Sequence, residues 1–226
     1  MSSQPKAALE PGAVERAVKA FAAGEPVLIH DFDDREGEVD MVYPAADVDE
    51  RAVSRLRNDA GGLICVALGP EVADAFDLPF LADVIDHPVA ESEHLGYDER
   101  SSFSLTVNHR DTYTGITDAD RALTISRLGE SAADPDAVDF PREFRAPGHV
   151  HLLRASRYGL SDRRGHTEMG VALAHEAGRP PAAVVCEMLS DDTGDALSIE
   201  EARAYAEAND IPYVEGVDLI EAFTEE

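Results

Sequence analysis

Lysine is almost absent from this sequence: Lys6 and Lys19 are the only two in 226 residues. With arginine included, basic residues total 19 against 46 acidic ones, a formal net charge of −27. General nucleic-acid binding uses Lys and Arg to displace counterions from phosphates, so this balance argues against nucleic acid as a partner. Long apolar runs are missing too. None approaches the ~18 residues that a membrane-spanning helix requires, so no membrane partner is expected. The opening MSSQPKAALEPG lacks the apolar stretch of a secretion signal, and a cytoplasmic protein is expected. Cysteine is scarce. Cys65 and Cys186 sit in the apolar runs GGLICVAL and AAVVCEML, without CxxC or Cys/His zinc spacing, and read as buried free thiols.

What is present suits a globular chain. The hydrophobic fraction, 44%, is ordinary for a folded domain, and the length supports a substantial core. The acidic, lysine-poor composition resembles that of proteins from salt-rich cytoplasm, where salt screens self-repulsion. It also makes acidic motifs common by chance.

Residues 1–12 read as a loose N-terminal arm and 13–226 as a single domain. A helix is expected over 14–23, with apolar spacing at Val14, Ala17, Val18 and Phe21 and a stop at Gly24. PVLIH (26–30), MVYPA (41–45), LICVAL (63–68), SFSLTVN (102–108), HVHLL (149–153) and AAVVCEML (182–189) read as strands. Helices are expected over 49–58, after Thr117, over 168–177 and over 198–209. Thr117 is a candidate N-cap, and Ser198 with Glu201 forms a capping-box pattern. Residues 83–101 read as a long loop and 134–147 as irregular. Strands and helices mix throughout, without a Rossmann GxGxxG or Walker sequence. The expected class is α/β or α+β, a layered sandwich.

The run DFDDREGEVD (31–40) is the first candidate site. An EF-hand is excluded, because a start at Asp31 puts Arg35 and Glu36 at positions five and six, and a start at Asp33 puts Arg35 at position three. Carboxylates at 36, 38 and 40 can point to one side of an extended segment, where they repel unless a cation offsets them. Such hard ligands favour magnesium or manganese. Solvated surface remains the alternative. In SDRRGHTE (161–168), a glycine and two arginines before a helix start make an anion site, or else an ordinary helix start. His149 and His151 are expected on opposite sides of a strand, one structural and one functional. Glu187 ends an apolar strand, where an unpartnered carboxylate is costly.

Taken together, DREGEVD (34–40), GGLIC (61–65), TGITDADRALTI (114–125), RAPGHV (145–150), RRGHTE (163–168) and CEM (186–188) resemble the 3,4-dihydroxy-2-butanone 4-phosphate synthase family of riboflavin biosynthesis. The resemblance implies a lyase that converts ribulose 5-phosphate to 3,4-dihydroxy-2-butanone 4-phosphate and formate with Mg2+ or Mn2+. It implies an α+β fold, a layered α/β/α-type sandwich with a mixed sheet, forming a homodimer with active sites built from both subunits. It implies Glu36 and His166 as metal ligands, and substrate binding by Arg35, Asp40, Arg163, Arg164, Gly165, Thr167 and Glu187. It implies catalytic roles for His149 and Glu187, with Glu38 and Cys65 lining the same pocket as further catalytic candidates; Glu38 or Asp40 is expected near the first proton removed. Val39 departs from the pattern, since many bacterial members carry Gly there. Another metal-dependent sugar-phosphate isomerase or aldolase, or a non-catalytic sugar-phosphate-binding dimer, would use the same acids, histidine and arginines.

Overall fold

The structure, a computed structural model, describes residues 12–32, 35–90 and 100–224. The expected arm lies almost wholly outside the described residues, as do Asp33, Asp34 and the middle of the 83–101 loop. Seven strands form one sheet: β1 (Val27–His30), β2 (Val39–Pro44), β3 (Cys65–Leu68), β4 (Phe103–His109), β5 (Phe144–Arg154), β6 (Ala182–Glu187) and β7 (Tyr213–Glu215). Their order is β4-β5-β3-β6-β2-β1-β7. The β3–β5 and β1–β7 pairs are parallel and the others antiparallel.

The helices are α1 (Ala13–Ala22), α2 (Glu50–Arg55), α3 (Pro70–Ala75), α4 (Leu81–Val84), α5 (Asp118–Ser131), α6 (Phe140–Glu143), α7 (His166–Glu176), α8 (Ile199–Asn209) and α9 (Gly216–Thr224). They cover both faces of the sheet, which is why the central strands read as unbroken apolar runs. On one face Met41, Val66, Val184 and Cys186 pack with Val53 of α2, Val72 of α3, Ile125 and Leu128 of α5 and Ala202 of α8. On the other, Val42, Cys65, Ala67 and Val185 pack with Phe21 of α1, Met169 and Leu173 of α7 and Leu219 of α9. This is the expected three-layer sandwich with a mixed sheet.

Local signals set most boundaries. Thr117 accepts a hydrogen bond from the Asp120 amide and starts α5. The Ser198–Glu201 capping box is present at α8. Each such cap contributes about 1 kcal/mol. Gly24, at φ 82°, ends the segment after α1, and Gly61, at φ 89°, ends a π-helical turn that follows α2. Tertiary pairing overrode sequence pattern in two places. The stretch 134–147 is less irregular than expected: Pro141 opens α6, and β5 begins at Phe144. Pro147 is tolerated in β5 because the register shifts there, between Val150 opposite Val107 and Arg145 opposite Asn108. In addition, α7 starts two residues early, at His166.

Candidate active site

Strand period decides which acids converge. On β2, Val39, Met41 and Tyr43 belong to one core, so Asp40 points to the other face. Asp40 is the register partner of Glu187 on β6, and Cys65 that of Val185. Asp40, Glu187 and Cys65 therefore share the face covered by α7. They line one cavity of ≈ 410 Å³ together with Arg35, Glu36, Glu38, Arg163, His166 and Thr167. Arg100, Ser101, Ser102, Phe103, Leu153 and Val185 complete its wall.

The acidic loop is folded around Asp31. Its buried carboxylate accepts from the Glu38 amide at 3.1 Å and from the Glu36 amide at 3.4 Å, and Arg35 reaches it at 3.3 Å. This leaves the Glu36 and Glu38 side chains on the cavity. His166 Nε2 donates to the Ile29 carbonyl at 3.1 Å. Nδ1 of the neutral ring then bears the lone pair, 3.5 Å from Asp40 Oδ1 and 3.7 Å from Glu36 Oε2.

Electrostatics mark the same centre. Burial would lower the His166 pKa, but Asp40, Glu36 and Asp31 outweigh it and hold it up at about 9. Burial pushes Asp40 up to about 8, with Glu187, Glu36 and Glu38 adding to the effect against His166. Glu38 is raised by burial and by the charges of Glu36 and Glu187. Glu36 moves down despite its burial, through His166, Arg35 and Arg163. Burial, Glu187 and Asp40 push the Cys65 thiol far up, so it stays protonated and is no thiolate nucleophile.

The residues fit a divalent cation. Asp31, Glu36 and His166 each offer one ligand atom, all within 4.8 Å of one another. Asp40 Oδ1 is buried without a hydrogen-bond partner among the described residues, the signature of an atom awaiting a ligand. Carboxylates plus one imidazole form a hard donor set suited to Mg2+.

The arginines converge at the start of α7. A side chain at Gly165 would collide with the guanidinium of Arg163 and press on that of Arg35. Glycine thus lets two cations lie over a helix N-terminus, a site matched to an anion. Arg163 is fixed by Glu168, whose other oxygen accepts from the Ser156 amide at 2.9 Å. Glu187 is fixed by the Gly61-Gly62 segment. Leu63 N–H donates to its Oε2 at 2.8 Å, and a Cβ on Gly62 would stand 2.5 Å from that oxygen.

Most of the anticipated residues meet here. Three stand apart. Arg164 is exposed beside the cavity, and Gly165 lies beneath the arginines. His149 is exposed in the bulged part of β5, hydrogen-bonded to Asn108, and is not among the cavity-lining residues. The expectation that His149 and His151 face opposite sides misread the strand period, since residues two apart share a face. The register shift next to His149 is what separates their surroundings, and His151 packs edge-on to Phe103. Sequence reasoning missed Asp31, Glu168 and the Arg100–Phe103 wall. The first two lie in or beside quoted motifs. The wall carries no sequence signal.

Residues 15–222 match the family model for 3,4-dihydroxy-2-butanone 4-phosphate synthase. The chain belongs to that family. A 3,4-dihydroxy-2-butanone 4-phosphate synthase of Archaeoglobus fulgidus is 50% identical over 221 residues, covering 92% of this chain and 93% of that protein. The structure of the Candida albicans synthase is 30% identical with a TM-score of 0.78, covering 94% and 97% of the two chains. A synthase structure in complex with two magnesium ions is 32% identical with a TM-score of 0.75, covering 92% and 95%. The chain is therefore an enzyme of the synthase family, with the family's mixed-sheet fold. Among the described residues no helix is long and apolar enough to cross a membrane.

Proposed function

We propose that the chain converts ribulose 5-phosphate to 3,4-dihydroxy-2-butanone 4-phosphate and formate in the cytoplasm, using Mg2+, with Mn2+ as a substitute. The observation that carries this reading is the meeting of Glu36, Asp40 and His166 with Arg35 and Arg163 in one cavity. Glu36 and His166 would hold the cation, with Asp31 beside them. A bound divalent ion supplies Lewis-acid stabilisation of the charge that develops when a proton leaves the carbon beside the carbonyl. Arg35, Arg163 and the amides at Gly165–Thr167 would bind the phosphate, with Arg164 at the rim.

Glu38 takes the first proton. Its half-buried carboxyl is raised towards the range useful to a general base, whereas the pKa of Asp40 is pushed up to about 8. Asp40 instead binds substrate oxygen. Glu187, tied to Leu63 at the cavity floor, and His149 would serve the later dehydration, carbon shift and formate release. Cys65 shapes the floor. His149 stands outside the cavity of its own chain, and Tyr113 and Ile116 on the loop nearby are exposed. Both features support a homodimer in which His149 reaches the partner's cavity.

The test is formate release from ribulose 5-phosphate at high salt, with and without Mg2+, for wild type and Glu36→Ala. Mg2+-dependent formate that disappears in the variant supports the assignment. A folded wild type that binds Mg2+ but isomerises or cleaves the sugar phosphate without formate belongs to a different reaction.

A further inference from the structure

We infer that Asn108 is a positioning residue that sets the ring tautomer of His149, keeping the proton of the neutral imidazole on Nε2. The consequence for turnover rests on the proposed role of His149, while the tautomer itself does not.

Asn108 lies in β4 and is buried, at 3% exposure. Its side-chain amide makes two contacts with one residue. Oδ1 accepts the backbone N–H of His149 at 2.8 Å, and Nδ2 stands 3.1 Å from His149 Nδ1. A backbone N–H can only donate, so the atom facing it must be the amide oxygen. That fixes which way the amide points. Nδ2 then faces the ring, and an NH2 group can only donate, so Nδ1 must accept with its lone pair. The single proton of the neutral ring is left on Nε2. The imidazole is thus presented as an Nε2–H donor, fitted to hydrogen-bond an oxygen on which negative charge develops rather than to take a proton at that nitrogen.

The surroundings hold this arrangement. A side chain at Gly115, where φ is 89°, would collide with the Asn108 amide, and one at Gly148 would collide with the Val107–Asn108 backbone. Glycines therefore let the chain close on Asn108 from two sides. The loop that carries Gly115 is tied down by Asp120, which accepts from the amides of Tyr113, Thr114 and Gly115. Much of the TGITD motif can be understood as a brace for Asn108, and through it for His149.

The measurement is 15N NMR of the full-length protein labelled in histidine, with the His149 signals assigned through His149→Gln. Wild type is expected to show Nε2 protonated and Nδ1 bare. Asn108→Asp keeps an acceptor for the backbone N–H but puts an acceptor against Nδ1, so the proton should move to Nδ1. Formate-forming kcat should fall about 10²-fold or more with little change in KM. A wild-type ring protonated on Nδ1 overturns the inference, as does a folded Asn108→Asp protein whose His149 proton stays on Nε2; a flipped tautomer at full kcat overturns the consequence for turnover. If Asn108→Asp does not fold, the wild-type spectrum alone decides. If His149→Gln turns over normally, the proposed role of His149 fails while the tautomer result stands.

Discussion

Asp40 and Glu187 stand directly opposite each other across the β2–β6 pair, on the same face of the sheet. Like charges in such a pair destabilise a sheet by about 0.2–1 kcal/mol. Glu187→Gln removes one charge and retains an oxygen to accept from Leu63. The metal-free variant should melt higher than wild type while losing turnover. Because Asp40 holds its proton up to about pH 8, the gain should be small at pH 7 and larger at pH 9. Thermal melts at the two pH values, paired with formate assays, check this. A variant that is less stable at both would mean that Glu187 is held by contacts worth more than the repulsion.

A cation held by Glu36 and His166, as proposed, would compete with protons for the same centre. In the metal-free fold, His166 keeps its proton to about pH 9 rather than 6.5, and Asp40 to about 8 rather than 3.8. Both folded values exceed the unfolded ones. Their contribution to stability is therefore complete below the unfolded values and is lost as pH rises through 8 and 9. A ligand imidazole must be bare, so cation binding expels the proton. Titration calorimetry with Mg2+ at pH 7.5, in two buffers of different ionisation enthalpy, should show net proton release, and affinity should rise towards pH 9. The Tm difference between loaded and metal-free protein should widen over the same range. Proton uptake on binding would exclude His166 as a ligand.

The comparison with sequence has a physical pattern. Features written in local chemistry were legible: the caps at Thr117 and Ser198, the glycine stops, and the central strands. The acidic loop was legible as a candidate site because alternate carboxylates at 36, 38 and 40 need a reason to converge, but the family resemblance, not the local pattern, decided against solvated surface. Features set by pairing over long distances were not. The β5 bulge that parts His149 from His151 depends on register with β4, where Val107 pairs with Val150 and Asn108 with Arg145, far apart in the chain. Asp31 reads as one more acid in an acidic chain until the loop folds back on it. Asn108 carries no local signal, because its partner lies 41 positions on.

Gly62 is constrained by Glu187 rather than by its own backbone. A Cβ there would sit 2.5 Å from both the Glu187 carbonyl oxygen and Oε2. The carboxylate can swing away, but the carbonyl belongs to the end of the central strand β6, where it accepts from the Gly62 amide at 3.0 Å, and cannot. Gly62→Ala should therefore displace Glu187 and lower kcat at least ~10-fold, a barrier increase of about 1.4 kcal/mol. The proposed cation ligands lie elsewhere, so an Mg2+-induced rise in Tm should persist. Loss of that rise together with kcat would indicate a wider collapse of the cavity.

Arg163 is held in the cavity by a carboxylate, Glu168, that is not itself among the cavity-lining residues. Glu168 is buried, receives the Arg163 guanidinium at 2.7 Å and accepts from the Ser156 amide. A hydrogen bond to a charged partner of this kind contributes about 1.5–3 kcal/mol. Glu168→Gln keeps the size and one acceptor but meets the guanidinium without charge, so Arg163 should wander. If Arg163 binds the phosphate in substrate and transition state alike, KM should rise roughly 10-fold with kcat nearly unchanged. Inorganic phosphate should inhibit the variant more weakly by a similar factor. Glu168→Asp, which restores the charge, should recover part of the loss. Unchanged KM and unchanged phosphate inhibition in a folded Glu168→Gln would show that Arg163 needs no such anchor, and the anion site would then rest on Arg35 and the α7 amides.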